Sequence, residues 1–403
     1  GSLNGDRMAA NMRPLVVSTQ QEFSSSITKT QHQMQTFTHE SVKSSFFAMS
    51  KKWNVLMSSV LVVLLMAFSY TVGAQSSANY TVATNTNGSL ALDMNTNAID
   101  MSTGTTTLVA AGADDTRNAL IGFNLGSGPT FAFPLMGQMY TTFSASDNGL
   151  MGLGVQPGTS QYTIPSSTNP ILAPFANDMR VGTDGKIEAK VFGSAPNRVL
   201  VVQWTNNMIR YLSPAVAGTA TFQVRVYEGT GVFEYVYGTM NTNTSTPTAY
   251  LVGFSVNTTA NNLLTINTST DAVNTTATTT TNTYTASSSV TPLTSASNGS
   301  RKYYRFTPSV TTHASPTALN FTAITSNSMA LNWTAASPTT GVFRYAVYAS
   351  TDGGVTYNYF STVALGTNTL SATGLLPSTT YDWRVHSLSE GALSASPASG
   401  TQA

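Results

Sequence analysis

Short apolar runs alternating at every second residue, cut by Gly, Pro, Asn, Ser and Thr, recur along this chain from Gln75 onward, with no amphipathic helix among them. In Lys186–Phe192, Ile187, Ala189 and Val191 alternate with Glu188 and Lys190, the two-residue period of a strand with one buried face. Turn residues 193–197 follow. Arg198–Trp204 is then almost continuously apolar, as in a strand covered on both sides. A second hairpin joins Thr221–Tyr227 to Val232–Tyr237 through Glu228–Gly231, and further strands are predicted at 119–125, 139–145, 149–153, 249–256 and 302–307. The expected fold class is all-β: a large antiparallel β-sandwich over 75–308, a linker at 309–316, and an immunoglobulin-like sandwich over 317–403.

Composition narrows the chemistry. The 403 residues include no Cys, four His and only 9% charged side chains, with a formal net charge of +1. Disulfide frameworks, Cys-ligated metals and cysteine nucleophiles are therefore excluded. The near-zero charge argues against nucleic acid as a partner, which calls for a basic field.

The sequence also carries an address. Met49, Lys51 and Lys52 open a segment that is strongly apolar from Val60 to Phe68 and ends in Val72-Gly73-Ala74. A positive start, a short apolar core and small residues before a cut describe a secretory signal peptide over 49–74, cleaved before Gln75. Ser58, Ser59 and Ser69 leave the apolar core too short for a comfortable membrane span, so no span is expected in the mature chain. Residues 1–48 are polar and aperiodic and read as an upstream extension outside the mature protein.

Thr, Asn and Ser dominate 239–300. Such a tract is either a flexible or edge region, or a polar β surface suited to strand-to-strand contact, since it lacks the charges that normally protect sheet edges. Sequons at Asn243, Asn257, Asn267, Asn274, Asn298 and Asn320 follow from this composition and add only surface polarity.

The last segment is more specific. Met329–Trp333, Phe343–Tyr348, Leu375–Tyr381 and Trp383–Val385 together resemble a fibronectin type III domain. The resemblance implies that Trp333 packs between the sheets. It also implies that Leu375, Pro377 and Tyr381 form a tyrosine corner in which the Tyr381 hydroxyl bonds back to nearby backbone. No Arg-Gly-Asp tripeptide is present, so the integrin-type loop of some members does not carry over. Phe143–Gly149, Ile171–Asp178, Ala195–Val199, Val202–Trp204 and Tyr303–Phe306 resemble a β-sandwich module common in secreted proteins of Bacteroidota, for which no activity is implied.

Few residues offer chemistry. His313 lies in the linker and His386 on a predicted strand of the last domain, so a shared metal or triad is not expected. Asp178, Asp184 and Glu188 are candidate oxygen ligands for calcium; equally, Asp184-Gly185 makes a turn and Asp178 caps backbone. Glu188, Glu228 and Glu234 are the acids nearest a paired-carboxylate glycosidase pattern, but alternation points them at solvent. Tyr227, beside Arg225 on an outward face, is the candidate platform for stacking on a sugar, against simple cross-strand packing.

The expected function is accordingly a secreted, non-catalytic structural protein, a subunit of an extracellular fibre, sheath or adhesive cell-surface layer that self-associates through strands or surface contacts. A mature N-terminal strand around Tyr80–Val82 pairs either within its own domain or with a neighbouring copy. The alternatives are a monomeric polysaccharide-binding module or, further off, a glycoside hydrolase. No cofactor is expected beyond the calcium alternative.

Overall fold

The computed structural model describes residues 76–403 except 243–247, 259–261, 277, 285–288, 295–300 and 310–311. The leader at 49–74, the stretch before it, Asn243 and Asn298 lie outside the described residues.

The first sandwich opens with a single 3-10 turn at Ser77–Asn79. Its strands are β1 (Tyr80–Gly88), β2 (Thr106–Val109), β3 (Ile121–Gly122), β4 (Phe133–Leu135), β5 (Gln138–Tyr140) and β6 (Thr142–Ser146). Then come β7 (Leu150–Leu153), β8 (Ile171–Ala176), β9 (Arg180–Phe192), β10 (Val199–Met208), β11 (Ala220–Tyr227) and β12 (Phe233–Met240). It closes with β13 (Thr248–Ser255), β14 (Leu263–Asn267), β15 (Ala272–Asn274), β16 (Asn282–Tyr284) and β17 (Arg301–Pro308). One sheet has the order β1-β17-β12-β11-β10-β9-β2, and the other β15-β14-β13-β8-β7-β6-β3, with β16 beside β13. The predicted strand at 119–125 shrinks to β3: Leu125 takes a positive φ, and its N–H bonds the Gly122 carbonyl to close a turn. β1 pairs with β17 of its own sheet. The described part of 239–300 supplies β13 to β16, with β15 as the sheet's margin.

Alternation sends one face of each sheet into a shared core. Trp204 stacks on Phe222 with ring centroids 5.0 Å apart, and Phe233 on Phe306 at 4.4 Å. Buried tyrosines then tie the layers together. The Tyr235 hydroxyl donates to the Gly253 carbonyl at 2.7 Å, and that of Tyr237 to the Pro174 carbonyl at 2.6 Å. Each hydroxyl so paired avoids the cost of a buried unsatisfied donor, about 1–3 kcal/mol.

Asp184-Gly185, expected as a turn, lies inside the thirteen-residue β9. The reason is a bulge on the facing strand. Asn206 has a φ of +50°, and a Cβ on Gly185 or Gly218 would sit 2.5 or 1.6 Å from its carbonyl oxygen. Glycine is needed there for close backbone approach rather than for a reversal.

The second sandwich comprises β18 (Thr317–Thr322), β19 (Ser328–Thr334), β20 (Arg344–Ser350), β21 (Asn358–Ala364), β22 (Thr369–Thr373), β23 (Tyr381–Leu388) and β24 (Ala398–Gln402). Its sheets run β18-β19-β22 and β21-β20-β23-β24. Trp333 is buried with its ring edge-on to Tyr345, centroids 5.5 Å apart. Leu375 and Tyr381 are buried, and the Leu376 N–H donates to the Tyr381 hydroxyl at 2.9 Å, closing a tyrosine corner around Pro377.

The two sandwiches meet around a buried carboxylate and at a hydrogen bond from the Thr130 N–H to Asn358 Oδ1, 2.8 Å long. Glu390, in the β23–β24 loop, is fully buried. Its Oε1 accepts hydrogen bonds from the Ser76 N–H and Asn79 Nδ2, both at 2.9 Å, while its Oε2 has no partner. Its carbonyl accepts from the Gly137 N–H at 2.8 Å. Beside it, a Cβ on Gly391 would lie 2.4 Å from Pro308 Cγ. Burial raises the Glu390 pKa, against the lowering effect of Asn79 and Ser76. A raised carboxylate pKa favours the protonated form of the docked state, so docking is strongest below the ordinary Glu range and weakens as pH rises through the raised value. Glu390→Gln keeps the Oε1 acceptor and is expected to hold the joint at pH 8 at least as well as the native residue, with a flatter pH dependence. Glu390→Ala is expected to loosen it, seen as faster proteolytic cleavage at 309–316.

Candidate functional site

The outward face of the sheet that holds β9 to β12, where sequence placed an exposed sugar platform, is covered. Residues 89–105 cross it, held by polar side chains that point away from the core. Arg225 Nη1 donates to the Leu92 carbonyl at 3.0 Å, Gln223 Nε2 to that of Leu90 at 3.1 Å, and Lys190 Nζ to that of Asp100 at 2.6 Å. Tyr227 is consequently buried with Ile99, Val199, Val201 and Val232, and its hydroxyl donates to Glu234 Oε2 at 2.7 Å. Tyr227 therefore offers no ring face to a sugar. Alternation placed it on the correct side of the sheet but could not reveal the covering segment.

Glu188 and Glu234 do not face solvent either, and Glu228 is half-buried. Glu234 is fully buried, with Arg225 at 3.7 Å and Arg305 at 3.6 Å. Burial raises the Glu234 pKa and lowers that of Arg225, as expected of a pair removed from water. Glu188 is buried, with Lys186 at 2.6 Å and Thr105 Oγ1 donating to it at 2.6 Å. Glu228 takes a two-pronged contact from Arg198, at 2.7 and 2.6 Å. Each acid is neutralised by its own cation, an arrangement that suits structure rather than a general acid and base.

The candidate calcium ligands are likewise divided among tasks. Asp184 accepts from the Gly218 N–H at 2.8 Å and Asn206 Nδ2 at 3.0 Å, fastening the bulge. Asp178 is half-buried, and its carbonyl accepts from the Tyr211 N–H at 2.8 Å. Among the described residues, no three His, Asp or Glu side chains gather as a metal-binding group. The two histidines are closer than their sequence separation suggested. His313 Nε2 lies 3.0 Å from the carbonyl of Ser387, the neighbour of His386, and His386 Nδ1 lies 2.9 Å from that of Ser394.

A cleft of about 360 Å³ lies between the sandwiches. One wall consists of two hairpin loops, 195–197 and 228–230, clasped together by the Arg198–Glu228 pair. The other is the face of β20 and β23: Tyr348 lies opposite Arg384 in register, and His386 lies two residues along on the same side. Tyr357, from the β20–β21 loop, lies under the Arg384 guanidinium, 3.8 Å from its carbon to the ring centroid. Burial lowers the His386 pKa, so the ring is neutral at physiological pH. A carbonyl only accepts, so Nδ1 carries the proton and Nε2 is a lone-pair acceptor. Sequence reasoning missed this site because its walls come from separate domains; the alternation Arg384-Val385-His386 was the available signal.

Asp147, within the Phe143–Gly149 run, is fully buried; its Oδ1 accepts from the Thr116 N–H at 3.1 Å and its Oδ2 has no partner. Burial foremost, with help from Asp114 and Asp115, raises its pKa to about 7. The raised value means that stability is highest when Asp147 is protonated and is lost as pH climbs from the ordinary Asp range to about 7, by at most on the order of 4 kcal/mol. Asp147→Asn is expected to be more stable than the native protein at pH 8, by a clearly smaller margin at pH 5. Urea unfolding at both pH values measures this, and a native protein equally stable at both would count against it.

Comparison with known proteins places these domains. A family model described as "NIDO related" matches residues 89–308, and the fibronectin type III model matches 314–401. An FN3 domain of human collagen XX is similar to the chain at 23% identity, covering 23% of this chain and 95% of that one, with a TM-score of 0.20. An Fn3-like protein from Clostridium thermocellum is similar at 28% identity, covering 21% and 86%, with a TM-score of 0.19. No curated protein matches the chain. Both domain types are typical of extracellular proteins and typically non-catalytic. Among the described residues, no helix is long and apolar enough to cross a membrane. With the first match covering more than half of its residues, the chain belongs to the NIDO related family and continues into a fibronectin type III domain.

Proposed function

We propose that this protein is a secreted, non-catalytic structural module whose copies associate through their sheet margins into a fibre or adhesive layer outside the cell. The supporting observation is where the charges lie. The two outermost strands of each large sheet are β1 and β2, β15 and β3, β18 and β22, and β21 and β24. None contains Lys, Arg, Asp, Glu or Pro. Among interior strands, β9, β11, β12, β17, β20 and β23 carry charges, while β6, β7, β8, β10, β13, β14 and β19 do not. Proteins that remain monomeric usually do the reverse, placing Lys and Pro on edges to block pairing with another chain. The joint at Glu390 complements this pattern, because a fixed pair of sandwiches passes a defined geometry from one contact to the next.

The nine-residue β1 and the seven-residue β21 are the longest margins. Ala83 and Ser361 lie on them, at exposed and half-buried positions. The purified protein is expected to form concentration-dependent assemblies in negative-stain images and sedimentation. Ala83→Lys combined with Ser361→Lys is expected to disperse them without changing the melting temperature by more than a few degrees. Isolated particles of the native protein at high concentration, or unaltered assembly by the double variant, would overturn the proposal.

A further inference from the structure

We propose that the cleft between the sandwiches binds an acidic saccharide, with Arg384 anchoring the carboxylate of a uronic-acid residue. This does not depend on whether copies associate. Among the described residues, the Arg384 guanidinium has no carboxylate or carbonyl partner; it stacks on Tyr357. The other charged residue on the cleft lining, Glu228, already has its charge matched by Arg198. The cleft therefore presents one uncompensated cation. Its planar, forked donors are pre-oriented by the ring beneath, the geometry that favours two-pronged binding of a carboxylate.

The remaining lining favours a sugar. Apolar surface from Tyr348, Val355 and Leu393 adjoins neutral polar groups, among them the His386 Nε2 acceptor and Asn197. Pyranose rings have the same mixture of C–H faces and hydroxyls. The volume lies near the lower end of ligand pockets, about 300–1,000 Å³, appropriate to a short saccharide rather than a large cofactor. An extended acidic peptide fits less well. Strand addition requires an open sheet edge, and β20 and β23 are interior strands with partners on both sides.

The test uses the full chain, a uronic-acid tetrasaccharide, its carboxyl-reduced counterpart and an acidic peptide, measured by calorimetry. Expected are saturable binding of the uronate, at least tenfold weaker binding of the reduced sugar, and weakening of uronate binding by added salt. Arg384→Ala is expected to lose at least tenfold in affinity and Arg384→Lys to be intermediate. Val355, 80% exposed on the cleft lip, provides a variant with little bearing on folding: Val355→Glu should repel the carboxylate and leave the melting temperature unchanged. Equal affinity for the reduced sugar, no binding of either sugar, or unchanged affinity in both Arg384→Ala and Val355→Glu would each overturn the proposal. Displacement of the sugar by the peptide at lower concentration would overturn the assignment of ligand class.

Discussion

A single buried carboxylate governs how this molecule is put together. Glu390 enters the first sandwich without a cation to meet it, and two neutral donors on one of its oxygens replace only part of its lost hydration. Hydrogen bonds to a charged acceptor are stronger than neutral ones and far more demanding of geometry. The first sandwich must therefore present Ser76 and Asn79 in place, and the β23–β24 loop must keep its shape. Close backbone contact between Gly231 and Gly391 excludes side chains from the same spot. The cleft lies beside this joint, and the Thr130 N–H to Asn358 Oδ1 hydrogen bond ties its two walls as well.

Desolvation also explains the crowded polar face of the sheet that holds β9 to β12. Once residues 89–105 cover it, Arg225, Glu234, Gln223 and Glu188 must find partners within the protein. They find them partly in one another and partly in the backbone carbonyls of the covering segment. A buried ion pair adds little net stability by itself, whereas breaking one costs much more. The network thus fixes the position of the cover more than it raises the stability of the sheet.

The strand pattern was legible because period-two alternation is a local property: Ile187, Ala189 and Val191 reach the core as their spacing implies. The tyrosine corner was legible because its residues lie within seven positions of one another. The fate of Tyr227 and Glu234 was not, since alternation assigns a face but not what lies on it. The cover comes from a stretch over a hundred residues earlier in the chain. Asp184-Gly185 misled in a related way: a glycine after an aspartate signals a turn, yet here it makes room for the carbonyl of a distant strand. The cleft was illegible for the same reason, because Arg384 and the hairpin loops 195–197 and 228–230 meet only after two domains have docked.

The bare sheet margins have a consequence for control. Contacts between ionised surfaces can be tuned by salt or by acid. Margins made of Thr, Ala, Asn and Ser give those agents little to act on. Under the association proposed above, the concentration of the protein, rather than the ionic conditions, would set how far copies meet along them.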